Sequence, residues 1–274
     1  MNKKSKLALC LGAAAVILPV FLTAPGRAGK RQKAPFFGRN FAHRGLHSPD
    51  KSAPENSLEA FRLAAEAGYG AELDVQLSKD GQVVVFHDDT LDRVCGVHGR
   101  VDEFSFEELQ QMRLCGTAHR IPLFQEVLNT VRGRGPLIVE LKNGRRNREL
   151  CEKTYALLEN YQGEACIESF NPLIVAWFRF HAPTVLRGQL SQLPEDFVRN
   201  GQKITEALAL GNTLLNVAAR PQFIAYRIGP KPACVRFAEA LGAMPVGWTS
   251  HSRDSEAGRD AVIFEYYMPD VRYK

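Results

Sequence analysis

Ala71-Glu72-Leu73-Asp74-Val75-Gln76-Leu77 alternates in side-chain character, and it runs into Lys79-Asp80-Gly81, which has the composition of a tight turn. Gln82 to His87 then passes through three valines and a phenylalanine to a histidine. A strand, a turn and a return strand account for the stretch, because β-branched residues favour pleated structure and Asp-Gly favours turns. Residues two apart on a strand face the same way. Glu72 and Asp74 therefore converge, although Ala71, Leu73 and Val75 around them are residues of an interior strand. The fold-back would set His87 roughly opposite Glu72.

Similar apolar runs recur on both sides. Phe41–His43 reads as a first strand, and Leu137–Leu141 as a buried one that ends at Lys142. Ala165–Phe170, Val185–Leu190, Phe223–Ile228, Pro245–Thr249 and Ala261–Tyr266 read as further strands. Helical patterns lie between them. Asn56-Ser57-Leu58-Glu59 has the look of an N-cap with Glu at N3, and Gly68 and Gly70 stop the helix that follows. Ser105 and Glu108 repeat the capping pattern, and Pro122 opens a helix through Val131. Arg148–Tyr161, Pro172–Phe180 and Ala233–Leu241 are the other helices. Alternation of this kind defines an α/β fold, and about eight strands is the size of a TIM-type (β/α)8 barrel. The barrel is expected to be irregular around residues 71–88, where no helix separates two strands. A doubly wound sheet is the alternative, but no Gly-rich phosphate loop follows any strand.

Residues 1–40 stand apart from a single barrel domain at 41–274. Leu7 to Ala24 is an apolar run preceded by Lys3, Lys4 and Lys6, at the short end for a membrane span and long for a signal-peptide core. An uncleaved membrane anchor over residues 7–24 is the favoured reading, with a secretion signal as the alternative. Cations flank both sides of it, so the charge rule sets no orientation. The first 40 residues hold eight cations and no acid, leaving 27 of the 35 cations against all 30 acids in the rest. That slightly acidic body argues against nucleic acid as a partner. The basic stretch suits anionic headgroups. Cys95, Cys115, Cys151, Cys166 and Cys234 lack metal-ligand spacing and read as small buried hydrophobes, with a Cys95–Cys115 disulfide as an alternative.

The chemistry concentrates in the first half. Glu140, on another interior strand, joins Glu72 and Asp74. Three buried carboxylates are too costly without a cation, and an all-oxygen set fits one divalent ion, Mg²⁺ or Ca²⁺. Lys142 offsets only one charge. His43 and His87 each end an apolar strand, and a pair of imidazoles can divide proton work, one taking a proton from the nucleophile and one giving a proton to the leaving oxygen. Arg44 offers a fork of donors to a phosphate oxygen. His47, His98, His119, His181 and His251 sit in loop or helix contexts and are left outside the site.

His43-Arg44-Gly45, Pro54-Glu55-Asn56-Ser57, Glu72-Leu73-Asp74-Val75, Lys79-Asp80-Gly81, Val85-Phe86-His87-Asp88, Ile121-Pro122-Leu123, Glu140-Leu141-Lys142, Ser169-Phe170 and Trp248-Thr249 together resemble the glycerophosphodiester phosphodiesterase family. The resemblance implies a TIM-type barrel related to the phosphatidylinositol phospholipases C. It implies hydrolysis of glycerophosphodiesters to an alcohol and glycerol 3-phosphate with a divalent cation. His43 and His87 match the family's acid–base pair, and Glu72, Asp74 and Glu140 its metal ligands. Arg44, Glu55 and Lys142 match polar residues around the phosphate, and Phe170 and Trp248 its pocket lining. The implied mechanism is attack by the substrate's own glycerol hydroxyl, giving a cyclic phosphate that water opens. Three features depart from the family. Val262 to Pro269 replaces its usual Thr-Asp-x-Pro stretch, Ser250-His251 follows the Trp-Thr pair, and residues 200–232 carry no family motif. Two alternatives stand beside this reading. One is a lysophospholipase D-like or glycerol-phosphate polymer phosphodiesterase at a membrane, with Leu46, Phe170, Trp177 and Phe178 as candidates for an acyl path. The other is a barrel that only binds phosphate or metal.

Overall fold

A computed structural model of the chain describes residues 21–274. Its strands are β1 (Arg39–Ala42), β2 (Gly70–Leu77), β3 (Val83–Val85), β4 (Leu137–Leu141), β5 (Ala165–Ser169), β6 (Leu186–Ser191), β7 (Phe223–Arg227), β8 (Met244–Ser250) and β9 (Ala261–Phe264). All but β3 pair in parallel, in the cyclic order β1-β2-β4-β5-β6-β7-β8-β9. β1 bonds to both β2 and β9, so the sheet closes on itself. The closure rules out a doubly wound sheet and gives the expected TIM-type barrel. The irregularity also falls where the sequence put it: β3 folds back antiparallel on β2, with Val75 opposite Val85 and Leu77 opposite Val83.

Alternation along each strand separates two apolar layers. Leu73, Val75, Val139, Leu141 and Ile167 point outward onto helices. Those helices include α1 (Leu58–Glu66), α2 (Phe124–Val131), α3 (Asn147–Glu159) and α4 (Pro172–His181). Phe41, Ile138, Cys166, Leu186, Phe223, Met244 and Val246 point inward and fill the barrel, with Phe36 packed against them. β3 and the segment between it and α2 build a small core of their own from Val84, Phe86, Leu91, Val101, Leu109 and Ile121.

Several local expectations shift. The cap of α1 is Ser57, whose hydroxyl accepts from the Ala60 amide at N3; Glu59 is free of the cap and pairs with Arg62. Asn56 is instead turned toward Asp74, its amide donating at 2.9 Å. Ser105 and Glu108 do form a capping box, on a helical turn of only four residues. α2 begins two residues after Pro122, because the Pro122 carbonyl is held by the Val85 amide and stays in the extended pairing. Cys95 and Cys115 are free thiols, so the alternative disulfide does not form. Trp177 and Phe178 pack with Tyr155 on the outer side of the barrel, and Leu46 lies against the same outer core, which removes all three from an acyl path.

Most of the apolar run at residues 7–24 lies outside the described residues. Its end is tied to the barrel: Arg220 donates to the carbonyls of Phe21 and Ala24, and Gly26 to that of Pro221. Among the described residues, no helix is long and apolar enough to cross a membrane.

Candidate active site

Glu72, Asp74 and Glu140 project from inside β2 and β4, His43, Arg44, His87 and Lys142 lie just beyond the ends of β1, β3 and β4, and Glu55 comes from the loop that leads to α1. β1 ends at Ala42, and the next residues, His43 and Arg44, turn over the rim. Arg44 has φ 52° and Gly45 φ 77°. A Cβ on Gly45 would meet the Ala60 backbone at 2.8 Å, so glycine is required for the turn to lie against α1. The turn aims the Arg44 amide at Glu72 Oε2, 3.0 Å away.

β2 and β4 bring the acids together. Asp74 lies opposite Glu140, and Glu140 opposite Glu168 of β5, so three carboxylates form a row across adjacent strands. One oxygen from each of Glu72, Asp74 and Glu140 lies within 4.8 Å of the other two. Glu72 is 2% and Asp74 1% exposed, so water does little to separate these charges. Burial first, then the neighbouring carboxylates, raises the pKa of Glu72 well above the usual range. Burial likewise raises Glu140, against the pull of Lys142. Asp74 goes the other way: burial opposes its charge, but His87, Lys142, Arg44 and the Asn56 amide outweigh it and lower its pKa. Protein groups thus favour the charge of Asp74, whereas burial works against charge on Glu72 and Glu140. An all-oxygen trio with unbalanced negative charge is the donor chemistry of a hard divalent cation, and these residues fit one.

Cations surround the trio. Lys142 Nζ lies 2.8 Å from Glu140 Oε1 and 3.3 Å from Asp74 Oδ1. Burial disfavours its charge, yet those two acids prevail and raise its pKa. Arg44 NH1 reaches Glu55 Oε1 at 2.6 Å, and its Nε lies 3.7 Å from Asp74 Oδ2. Glu55 is also gripped by both terminal nitrogens of Arg93, at 2.7 and 2.8 Å. Burial would raise Glu55, but Arg93 and Arg44 hold it down to about 2. Arg93 goes on to bind Asp88, and Asp88 Oδ1 accepts from His87 Nδ1 at 2.6 Å. One unbroken chain, Arg44–Glu55–Arg93–Asp88–His87, therefore ties the β1 turn to the end of β3. Glu55 is the hinge of that chain, with both oxygens engaged by arginine.

The two histidines are held alike. His43 Nδ1 lies 2.9 Å from Glu265 Oε2, which leaves Nε2 turned toward Glu72 at 3.9 Å. His87 has Asp88 on the same ring nitrogen. Both rings act electrostatically on Asp74. Burial is the largest influence on His43 and lowers its pKa despite Glu265. His87 faces a cavity of about 680 Å³ that it shares with Glu140, Lys142, Phe170 and Trp248. Phe170 and Trp248 meet edge to face at 5.6 Å, and the indole N–H is tied to the Ala225 carbonyl at 3.0 Å.

The structure thus gathers all ten residues singled out in the sequence around one end of the barrel. It also adds residues that were not. Glu265 ends the apolar strand β9 as His43 ends β1, and that repeated pattern was its only signal. His47 and His251, set aside as loop residues, approach Glu265 at 3.4 and 3.7 Å. Arg93 has no sequence signal, because its partners are Glu55, 38 positions away, and Asp88. Glu168 lies within the barrel strand Ala165–Ser169, whose apolar look hid it.

A closed parallel barrel that gathers a carboxylate trio, two carboxylate-bound imidazoles and buried cations at one end defines the class: a TIM-type barrel with a site that fits a divalent cation. Residues 43–265 match the glycerophosphoryl diester phosphodiesterase family, and the chain belongs to it. The chain is 35% identical to a glycerophosphodiester phosphodiesterase of Caldanaerobacter subterraneus subsp. tengcongensis, in a match covering 55% of this chain and 65% of that protein. It therefore spans a little under two thirds of that relative's length. A lysophospholipase D of Rattus norvegicus is 32% identical, with 56% of this chain and 51% of that protein covered. Among solved structures, a phosphodiesterase of Oleispira antarctica in complex with the product sn-glycerol-3-phosphate superposes with a TM-score of 0.69 at 23% identity, covering 84% of this chain and 94% of that one. That likeness carries the fold.

Proposed function

We propose that this protein hydrolyses glycerophosphodiesters to an alcohol and glycerol 3-phosphate. The observation that carries the reading is the set of three buried carboxylates beside two imidazoles, each with a carboxylate on Nδ1. Glu72, Asp74 and Glu140 hold one divalent cation, Mg²⁺ or Ca²⁺, which when bound neutralises phosphate oxygens and acidifies a nearby hydroxyl. With Nδ1 committed to Glu265, His43 presents an unprotonated Nε2, and its lowered pKa keeps it neutral near pH 7. It takes the proton of the attacking group, the substrate's own glycerol hydroxyl. His87 delivers a proton to the leaving oxygen, held in position by Asp88. The two exchange tasks when water opens the resulting cyclic phosphate. Arg44 and Lys142 draw the phosphate to this end of the barrel, and Phe170 and Trp248 border the alcohol it carries. The product named for the Oleispira structure is the one expected here. The test is a panel of glycerophosphodiesters with Mg²⁺ or Ca²⁺ added back to chelated protein. Release of glycerol 3-phosphate that disappears in His43→Ala supports the reading, and no release from any member overturns it.

A second reading extends the substrate to lysophospholipids at a membrane. One observation favours it: an apolar groove of about 530 Å³, lined by Leu173, Ala209, Leu215 and Ala218, shares Asn171, Pro172, Glu206 and Leu210 with the larger cavity. Anchoring through residues 7–24 would keep that groove close to lipid. Faster turnover of lysophosphatidylcholine than of glycerophosphocholine, together with sedimentation of the full chain with membranes, supports this extension. Equal turnover and a soluble chain remove it.

A further inference from the structure

We propose that His43, His47 and Glu265 form a second cation site, selective for a transition metal such as Zn²⁺, and that filling it switches the enzyme off. One donor atom from each lies within 4.8 Å of the other two. Glu265 Oε2 is 2.9 Å from His43 Nδ1 and 3.4 Å from His47 Nε2. A tetrahedral ion with bonds of about 2.0–2.1 Å needs its donors about 3.3 Å apart. His47 points independently to a ligand. Its side chain is only 3% exposed, yet Nδ1 has no hydrogen-bond partner and Nε2 approaches Glu265 without hydrogen-bond alignment. A buried imidazole whose Nδ1 has no partner and whose Nε2 has only a long, poorly aligned approach to a carboxylate is costly unless something else engages it.

The donor set separates this site from the carboxylate trio. Two imidazoles and one carboxylate suit zinc and its neighbours, whereas three carboxylates suit magnesium or calcium. The surroundings are built to hold the rings. The His47 amide donates to the Gly45 carbonyl at 2.9 Å, and the Tyr266 ring stands edge-on to the His47 ring at 5.1 Å. His251 Nε2, 3.7 Å from Glu265 Oε1, lies on the open side and can complete a fourth position.

The consequence for catalysis follows from the tautomer. Without the second ion, the proton of neutral His43 sits on Nδ1 against Glu265, and Nε2 has a free lone pair. An ion on Nδ1 binds through that nitrogen's own lone pair and displaces its proton, so in the neutral ring the one proton sits on Nε2 and its lone pair is no longer free. The ring then presents N–H where the reaction needs a proton acceptor. This inhibition rests on the proposed role of His43, whereas occupation of the site does not.

The experiment titrates Zn²⁺ into the full-length protein with Mg²⁺ already saturating, following heat of binding and turnover together. One Zn²⁺ per chain should bind and suppress turnover in parallel. His47→Gln should weaken both effects by at least about tenfold while keeping Mg²⁺-supported turnover within about twofold. Zinc affinity unchanged in His47→Gln overturns the site. So does inhibition relieved in proportion to added Mg²⁺, which would put the zinc on the trio. Should His47→Gln fold poorly, Co²⁺ in the unmodified protein decides: intense visible bands of a tetrahedral nitrogen-containing site support it, and only the weak bands of an octahedral oxygen site overturn it. Zinc that binds in a His47-dependent way to a protein without turnover would leave the site standing and defeat the proposed function instead.

Discussion

The arc of the barrel from β1 to β4 and the arc from β6 to β8 share one architecture and differ in what they face inward. Near the rim, the first arc presents Glu72, Asp74 and Glu140 from inside its strands, with His43 and Lys142 just beyond. The second presents Leu190, Ala225 and Val246, with Trp248 above them. The stability of the first arc depends on charge compensation, and that of the second on packing. Charge inside a strand conflicts with burial and so announces a task. An aromatic ring inside a strand agrees with burial and announces nothing.

If this contrast divides chemistry from recognition, the largest losses of turnover belong to the first arc. His43→Ala and His87→Ala should each lower kcat by about 10²–10⁴-fold with little change in thermal midpoint. Steady-state release of glycerol 3-phosphate measures this. A comparable loss of kcat in Trp248→Ala would erase the division.

Next in size is the cation dependence. A ligand present at 100 times its Kd stabilises the folded state by about 2.7 kcal/mol. Saturating Mg²⁺ or Ca²⁺ should therefore raise the thermal midpoint of chelated protein. In Asp74→Asn that rise should nearly vanish and turnover should fall, because one of the three carboxylates that would hold the cation is gone. A rise of equal size in wild type and Asp74→Asn would place the cation elsewhere.

The same contrast explains what was legible in the chain. The barrel was readable because apolar strands and helix signals alternate, and the β2–β3 fold-back because Asp80-Gly81 leaves no room for a helix. The trio and both histidines were readable because each interrupts or ends an apolar run. What holds them in place was not. Arg93 reaches Glu55 across 38 positions, and Glu265 reaches His43 across 222. No local pattern encodes such contacts; closure of the ring, β9 against β1, creates the second. Asn56 was misjudged for a related reason. Its place before Ser57 looked like capping, and only the folded turn reveals that its amide serves Asp74.

A smaller effect is expected from the aromatic pair, Trp248 of the second arc and Phe170 just after β5. Trp248→Ala and Phe170→Ala should raise KM by about tenfold, of order 1.4 kcal/mol, and leave kcat nearly unchanged. A KM effect alone marks binding made equally in ground and transition states. The shift should be greater for bulky alcohol headgroups than for small ones. A panel of headgroups that shows no difference would deny these rings a part in recognition.

The smallest change in turnover, none, is expected for Glu168→Gln, and there the effect moves to stability. Glu168 is 1% exposed, and its Oε2 has no hydrogen-bond partner. Burial first, then the charges of Glu140 and Asp74, raises its pKa well above the usual range. The folded state therefore keeps a proton that the unfolded chain releases above about pH 4.3. Because the native state binds more protons, stability is full below that pH and declines as pH rises toward the folded pKa. Glutamine cannot ionise and escapes the decline. Urea midpoints of wild type and variant should lie close together at pH 4 and separate in the variant's favour as pH rises to 8. A bound cation offsets the charges of Glu140 and Asp74, so Mg²⁺ or Ca²⁺ should narrow the separation. A gap independent of pH would mean that Glu168 is ionised when folded, beside Glu140 on the neighbouring strand.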